Sequence, residues 1–198
     1  MTTPWETAPQ NRSQPSARAS TEGDLAAIHA IYSHHVLEGY GSFELTPPDM
    51  EELSRRRSAV IALGLPYLVA ELNGEVAGFA YAGPFRPRPA YRYTIEDSIY
   101  IAPQATARGL GSALLAGLIA RCESLGYRQM VAVVGGGEAR NAASVKLHTR
   151  HGFHMAGRFE GVGYKRGAWV DSAIMQRALG PGTAMPPDRS PEKPTPTG

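Results

Sequence analysis

A strand that runs through a glycine turn into a long amphipathic helix constrains the fold of this chain more than any other feature. Residues 94–101 have the pattern of a strand that Pro103 ends, and residues 109–125 carry apolar side chains along one helical face until Gly126. A helix that follows one strand and precedes the next implies a parallel crossover. The chain is therefore predicted to fold around a mixed α/β sheet.

Hydrophobic periodicity and turn residues predict the other elements. Helices are expected at residues 21–39, 48–63 and 141–150, and strands at 67–72, 75–81, 128–134, around 155–161 and around 169–177. Asn73-Gly74 is the pair preferred in tight antiparallel hairpins, so the first two of these strands should pair. Thr21 with Asp24 has the form of a capping box, and Thr46 before Pro47 is the expected N-cap of the second helix.

Proline and cysteine usage set the domain boundaries and the compartment. Nine of the 16 prolines lie in the two ends of the chain, so residues 1–16 and 180–198 are predicted to be disordered tails around one domain at 17–179. The chain contains no apolar run of about 18 residues, and its first residues lack the apolar centre of a secretory signal. The single cysteine, Cys122, is predicted to be a buried core thiol. We expect a cytoplasmic protein with no membrane contact.

The charge balance favours a ligand that carries phosphate or carboxylate groups. The net charge is only +2, but just three of the 20 basic residues are lysines, and arginine suits phosphate and carboxylate recognition. The densest basic cluster, residues 55–57, is interpreted as a solvated helix face. Binding of nucleic acid through that cluster is the alternative, which the weak overall charge argues against.

The glycine turn is a candidate anion site. Its residues Ala107-Arg108-Gly109-Leu110-Gly111-Ser112 precede a helix N-terminus, where backbone N–H groups and the helix dipole favour a phosphate or pyrophosphate, and Arg108 adds charge. The turn lacks the Gly-Lys-Ser/Thr of a nucleoside triphosphate loop and the third small residue of a dinucleotide fingerprint. A turn in which the glycines serve only the chain reversal is the alternative.

Three motifs together resemble the GNAT N-acetyltransferase superfamily. They are this turn, Asn141-Ala142-Ala143-Ser144, and Leu147-His148-Thr149-Arg150-His151-Gly152-Phe153. Within the superfamily, the chain is more similar to the phosphinothricin and methionine sulfoximine acetyltransferases. That closer resemblance rests on segments that include Leu68-Val69-Ala70-Glu71, Ala80-Tyr81-Ala82-Gly83-Pro84, Glu96, Gly163-Tyr164-Lys165, Trp169 and Asp171, and it covers residues 17–178.

The resemblance implies an α+β fold, a co-substrate and an activity. The fold would be a mixed, mostly antiparallel central sheet with flanking helices and a splayed parallel pair at the cofactor site. Acetyl-CoA would be the co-substrate, and the acetyl group would pass directly to the primary amine of a small amino-acid-like substrate. Members of the superfamily are often homodimers, so a homodimer is expected.

The resemblance also implies the residues that hold acetyl-CoA. The pantetheine would pair with the backbone of Ile99, Tyr100 and Ile101, and Asn141 would contact the same arm. The pyrophosphate would bind the loop of Thr106, Ala107, Arg108, Gly109, Leu110, Gly111 and Ser112. Thr106 departs from the family pattern, which has Gln or Arg at this position, and Arg108 would replace the lost charge.

Two residues are predicted to carry the chemistry. An amino acid's amine is protonated at neutral pH and must lose a proton before it attacks, so a general base is needed. Glu96 is the candidate, because it lies on the strand just before the cofactor edge and matches the glutamate that the resemblance implies. An exposed strand carboxylate is the alternative interpretation. His148 would either donate a proton to the departing thiolate or only anchor the cofactor or a helix. A backbone N–H near Tyr100 would stabilise the oxyanion.

The substrate and metal predictions are less direct. By position, Arg92, Tyr93 and Lys165 would bind the acidic head of the amino acid, with Phe43 as a wall. His148, His151 and His154 stand three apart, but Gly152 ends the helix between them, so no metal site is predicted. The alternatives to amino-acid acetylation are transfer to a polyamine, an aminoglycoside or a peptide N-terminus, and a non-catalytic CoA-binding module.

Overall fold

The computed structural model describes residues 15–187 of the 198-residue chain. Its helices are α1 (Leu25–Glu38), α2 (Met50–Ala62), α3 (Leu110–Ser124) and α4 (Gly137–Arg150), and its strands are β1 (Ala17–Ala19), β2 (Tyr67–Leu72), β3 (Glu75–Pro84), β4 (Thr94–Ile101), β5 (Gln129–Gly135), β6 (His154–Lys165) and β7 (Ala168–Ala178). The disorder predicted for residues 1–14 and 188–198 lies outside the described residues. Residues 180–187, predicted as the start of a tail, form turns in which Gly182 N–H donates to the Leu179 carbonyl.

The described strands form one seven-stranded sheet in the order β1-β2-β3-β4-β5-β7-β6. Every neighbouring pair is antiparallel except β4 and β5, which are parallel and joined through α3. This confirms the predicted α+β architecture with one parallel crossover. Helix α3 packs against β2, β3 and β4, and α1 packs against β3 and β4, so the core lies on both faces of the central strands.

The parallel strands separate beyond their first four residues. β4 and β5 pair from Thr94 with Gln129 to Asp97 with Ala132, and within the described chain the ladder between them goes no further. β5 continues instead along β7 as far as Gly135. The opening between the two strands, which we call the fork, confirms the splayed parallel pair that the resemblance implies.

Local turn and cap chemistry explains most of the element boundaries. Asn73 and Gly74 both have positive φ, 55° and 85°, and they join β2 to β3 in the predicted hairpin. The Asp24 carboxylate accepts the Thr21 backbone N–H at 2.7 Å, as a capping box requires. The prediction of Thr46 as the cap of α2 is wrong. Asp49 is the N-cap, because its Oδ1 accepts the Glu52 N–H at 2.8 Å, and α2 begins at the next residue, Met50.

Three other features differ from the sequence predictions. Strand β1 was not predicted, and α4 begins at Gly137 rather than at Asn141, which has a non-helical φ of −143° inside it. The solvated face predicted for residues 55–57 is wrong for Arg57, which is buried and donates to the hydroxyl and carbonyl of Ser20. Within residues 15–187, no helix combines the length and apolar character needed to cross a bilayer.

Candidate active site

A pocket of about 380 Å³ opens at the fork between β4 and β5. Its walls come from four parts of the chain: residues 96–100 of β4, residues 132–135 of β5, residues 41–44 with Tyr32, and the α4 side chains Asn141, Ser144 and His148. Polar groups from α4 and β4 therefore meet where the backbone of the sheet is open. Asn141, predicted to contact the cofactor, lines this pocket, and its amide donates to the Gly135 carbonyl at 3.3 Å.

Glu96 lies on the wall of the pocket. It is half-buried, and burial raises the pKa of its carboxyl, with the neighbouring charge of Asp97 adding to the effect. A carboxylate with a raised pKa is a stronger base, which suits proton abstraction from an ammonium group. Its position in the pocket agrees with the predicted general base and argues against an ordinary exposed strand carboxylate.

His148 is buried against Asp97 beneath the pocket. Its Nε2 lies 3.0 Å from Asp97 Oδ2, and its Nδ1 lies 2.8 Å from the Ser144 carbonyl oxygen, so both ring nitrogens face acceptors. Burial opposes a charge on the ring, but the hydrogen bond and charge of Asp97 outweigh it and raise the pKa of His148. A protonated imidazole in this position would donate both of its N–H groups to these acceptors.

Alternation along β4 decides which backbone groups face the fork. Ala102 N–H donates to the Ala77 carbonyl at 2.8 Å, and two residues earlier Tyr100 stands opposite Phe79 on β3. Because hydrogen-bonded pairs alternate in an antiparallel ladder, Tyr100 directs its N–H and C=O to Phe79. The structure therefore differs from the prediction for Tyr100, whose backbone groups are turned away from the fork although the residue lines the pocket.

Ile99 and Ile101 direct their backbone groups the other way, into the fork. The Ile101 carbonyl accepts a hydrogen bond from His35 Nε2 at 2.8 Å. Burial lowers the pKa of His35, so the neutral ring donates from that nitrogen. This leaves the Ile99 N–H and C=O and the Ile101 N–H as the backbone groups of β4 that a ligand strand can pair with.

The predicted pyrophosphate turn has the backbone geometry of an anion site. Ala107 and Gly109 have positive φ, 59° and 84°, and Gly109 is the N-cap of α3. The first N–H groups of α3, at Leu110, Gly111 and Ser112, have no partner within the helix by its geometry. Arg108 is exposed beside them. The turn follows the C-terminal end of β4 after a short 3-10 helix at Pro103–Ala105, so a ligand can run from the fork to the helix N-terminus.

Three residues of the predicted pyrophosphate loop also have structural partners. A Cβ at Gly111 would come within 3.1 Å of Leu147 Cδ2, so this glycine allows α3 to approach α4 closely. Ser112 Oγ lies 2.8 Å from His151 Nε2, and Thr106 Oγ1 donates to the Pro103 carbonyl. His148 and His151 thus have different partners, and the described residues contain no cluster of three groups suited to a metal.

The segment of residues 40–44 closes one side of the pocket because two glycines leave room for it. A Cβ at Gly135 would lie 2.2 Å from the Tyr40 carbonyl oxygen, and a Cβ at Gly163 would lie 2.7 Å from the ring of Phe43. Phe43 lines the pocket, as predicted for a wall of the substrate site. Gly163 is one of the residues that carry the family resemblance, but neither it nor Gly135 was predicted to make room for the pocket wall, because close approach across the sheet leaves no local pattern.

The structure does not bring the other predicted substrate residues to this pocket. Lys165 is buried behind the wall, and its Nζ donates to the Ser42 carbonyl at 2.5 Å, so in this structure it holds the wall in place. Arg92 is exposed before β4, where its guanidinium lies over the Tyr93 ring at 4.6 Å. Of the four predicted substrate residues, only Phe43 lies on the pocket wall.

Comparison with known proteins agrees with this geometry. Residues 17–174 match the family model of the acetyltransferase (GNAT) domain. The chain is 49% identical over 173 residues to the phosphinothricin N-acetyltransferase of Alcaligenes faecalis, covering 87% of each chain. It is 38% identical over 162 residues to the L-methionine sulfoximine/L-methionine sulfone acetyltransferase of Salmonella typhimurium, covering 82% of this chain and 93% of that one.

A solved structure is similar over nearly the same length. It is a GNAT superfamily phosphinothricin acetyltransferase from Sinorhizobium meliloti in complex with AcCoA. The TM-score is 0.86 at 43% sequence identity, and the match covers 90% of this chain and 96% of that chain.

Proposed function

This chain belongs to the GNAT acetyltransferase family, and from that premise we propose that it acetylates the amine of phosphinothricin, methionine sulfoximine or a closely similar amino acid. It is an acetyl-CoA-dependent N-acetyltransferase. The choice of amino acid is supported by the relatives that act on these two compounds. The observation that carries the proposal is the fork, where an open strand backbone and a half-buried carboxylate share one pocket.

The residues around the fork fit acetyl-CoA. The Ile99 carbonyl and the Ile101 N–H, which face the fork, suit the amides of pantetheine, and Asn141 lies on the same wall. The positive-φ turn at Ala107 and Gly109, with the α3 N-terminus, suits the pyrophosphate. Bound acetyl-CoA supplies the thioester, and the chain's own groups orient its carbonyl in the pocket.

The proposed reaction is a direct transfer. Glu96 takes a proton from the substrate ammonium, and the free amine attacks the thioester carbonyl carbon. A C–N bond forms, the C–S bond breaks with its electron pair on sulfur, and the thiolate leaves. The second proton that the attacking nitrogen loses as the amide forms balances the proton that converts the thiolate to CoA. The Ile99 N–H, which faces the fork, is the proposed donor to the oxyanion, in place of the N–H of Tyr100.

We also propose a homodimer and a cytoplasmic location. Strand β6 is one of the two edge strands of the described sheet, and the β6–β7 hairpin exposes Phe159, Val162, Tyr164 and Trp169, the last with 68% of its surface accessible. Several large apolar side chains exposed on one hairpin suit an interface. Light scattering should give twice the 21.2 kDa chain mass, and Trp169→Glu should halve it. Leu63→Glu, at the C-terminal end of α2, is the control.

The proposed cytoplasmic location rests on Cys122, a free thiol typical of reducing compartments.

A panel of amines tests the function. Purified protein with acetyl-CoA is offered phosphinothricin, methionine sulfoximine, spermidine, an aminoglycoside and a peptide N-terminus, and free CoA thiol is measured. The highest kcat/KM is expected for one of the two amino acids. Preference for spermidine or the aminoglycoside would overturn the substrate assignment, and acetyl-CoA binding without CoA release from any amine would favour the non-catalytic binding module.

A further inference from the structure

We propose that Asp97 is a positioning residue of the acyl transfer, which acts on Glu96 beside it and is held in place by His148. The inference rests on the proposed function, because it takes Glu96 as the general base. Asp97 lines the fork pocket and was not identified from the sequence.

Asp97 and His148 form a buried pair. The side chains of Asp97 and His148 are 2% and 4% exposed and joined by a hydrogen bond of 3.0 Å. Breaking such a pair by removing one partner leaves an uncompensated buried charge. The pair stands where the β4–β5 ladder stops, since Asp97 is the last β4 residue in register with β5. It therefore joins β4 to α4 at the base of the pocket.

Both ring nitrogens of His148 face hydrogen-bond acceptors. Nε2 faces Asp97 Oδ2, and Nδ1 faces the Ser144 carbonyl oxygen. A histidine that donates to two acceptors has no N–H left for a departing thiolate unless one bond breaks. The geometry thus favours an anchoring role for His148 over the proton-donor role, the other alternative that the sequence left open.

The two carboxylate oxygens of Asp97 differ in their hydrogen bonds. Its Oδ2 is bound by His148, but Oδ1 is buried without a hydrogen-bond partner among the described residues. The negative end of the pair is therefore met by a hydrogen-bond donor on one oxygen only. Glu96 is the adjacent residue on β4, and the charge of Asp97 adds to burial in raising its pKa. The anionic end of the pair thus makes Glu96 a stronger base.

The other groups near the pair leave this arrangement intact. On α3, burial raises the pKa of Cys122 to about 12, so that thiol is neutral. On α4, burial and the charges of Arg177 and His148 lower the pKa of His151. Strand β5 contains no titratable residue, and on β7 Arg177 is bound by the His151 carbonyl. Asp97 and His148 are thus the charged groups in direct contact at the base of the fork.

Asp97→Asn is the first test, with kcat/KM for the amine measured against pH. The variant should move the acidic limb to lower pH, by up to about one pH unit, and lower kcat roughly three- to tenfold, with acetyl-CoA affinity unchanged. Glu160→Gln, which removes an exposed carboxylate on β6, should leave the profile unchanged. An unmoved acidic limb in Asp97→Asn overturns the proposal, and so does a change confined to the alkaline limb, which would make His148 the proton donor.

A second measurement needs no variant and keeps the proposal testable if Asp97→Asn does not fold. Nitrogen-15 NMR of the wild-type imidazoles should find His148 with protons on both nitrogens at neutral pH. A His148 ring without a proton on Nε2 at pH 7 would overturn the proposal, because the bond to Asp97 would then need a protonated, neutral carboxyl. These results are separate from the function itself, since a wild-type protein that fails the amine panel contradicts the activity whatever the state of His148.

Discussion

Asp97 and Ala132 are the last residues at which β4 and β5 pair, and the fork opens directly beyond them. Everything assigned to the site depends on that separation. Residues 98–101 of β4 keep their ladder with β3, so the strand stays in the sheet while its other edge is open. A continuous parallel pair would leave no edge for pantetheine and no pocket beside Glu96.

The glycine turn should tolerate no side chain at Gly109. Its φ of 84° is in the left-handed region, where a Cβ costs about 1–2 kcal/mol, and the residue caps the helix that is expected to receive the pyrophosphate. Gly109→Ala should raise the KM for acetyl-CoA about tenfold and leave the KM for the amine nearly unchanged. Gly157→Ala on β6, where a Cβ meets nothing within 4 Å, is the control. Equal effects from the two variants would contradict the loop assignment.

Removal of the Lys165 ammonium should affect the amine site and not the cofactor site. Its Nζ bonds the Ser42 carbonyl and so fixes the wall that includes Phe43. Lys165→Met should raise the KM for the amine several-fold at an unchanged KM for acetyl-CoA. Lys146→Met, on an exposed part of α4, provides the matched control. Unchanged steady-state kinetics in Lys165→Met would show that the wall holds its position without this bond.

The stability of the N-terminal part of the domain should depend on Asp24. This buried carboxylate accepts two hydrogen bonds of 2.8 Å from Arg18, which hold its pKa well below the usual range. Because Arg18 is partly exposed, we expect Asp24→Asn to lower the free energy of unfolding by only about 1–2 kcal/mol at pH 7. A depressed carboxyl pKa stabilises the fold above the unfolded pKa of about 4, and the stabilisation is lost as pH falls. Urea unfolding of both proteins should therefore converge in acid.

Direct transfer predicts that Cys122 is dispensable for turnover. The thiol is fully buried in α3, and burial raises its pKa to about 12, so no thiolate is available to form an acyl-enzyme. Cys122→Ala should keep kcat within about twofold and lower stability by about 1 kcal/mol through the lost packing. Loss of acetyl transfer in a folded Cys122→Ala protein would indicate a covalent intermediate.

Local patterns accounted for most of the fold. The helical stripe of α3 and the Asn73-Gly74 hairpin depend on neighbours in sequence, and both were predicted correctly. Strand β1 was missed because three residues are too few to show a periodicity. Where α2 begins was misjudged because Thr46 and Asp49 are both good caps, and only the contacts show which one receives the helix N–H.

The site was predicted in its parts and not in its contacts. Glu96 and the glycine turn carry family motifs, so the sequence alone predicted a role for each of them, and both roles stay predictions. The pairing of Asp97 with His148 joins residues 51 positions apart, and Lys165 bonds Ser42 across 123 positions. Such contacts depend on tertiary packing and leave no spacing signal, which is why Asp97 was missed and Lys165 was assigned to the substrate.

The role of Glu96 is the central claim, and its substitution tests that claim most directly. Acetyl transfer to phosphinothricin and the Kd for acetyl-CoA are measured side by side in the wild type and in Glu96→Gln, which keeps the shape of the side chain and removes the base. We predict that kcat falls about 100-fold or more while the Kd for acetyl-CoA changes less than about twofold. A Glu96→Gln protein that transfers acetyl at the wild-type rate would contradict the account.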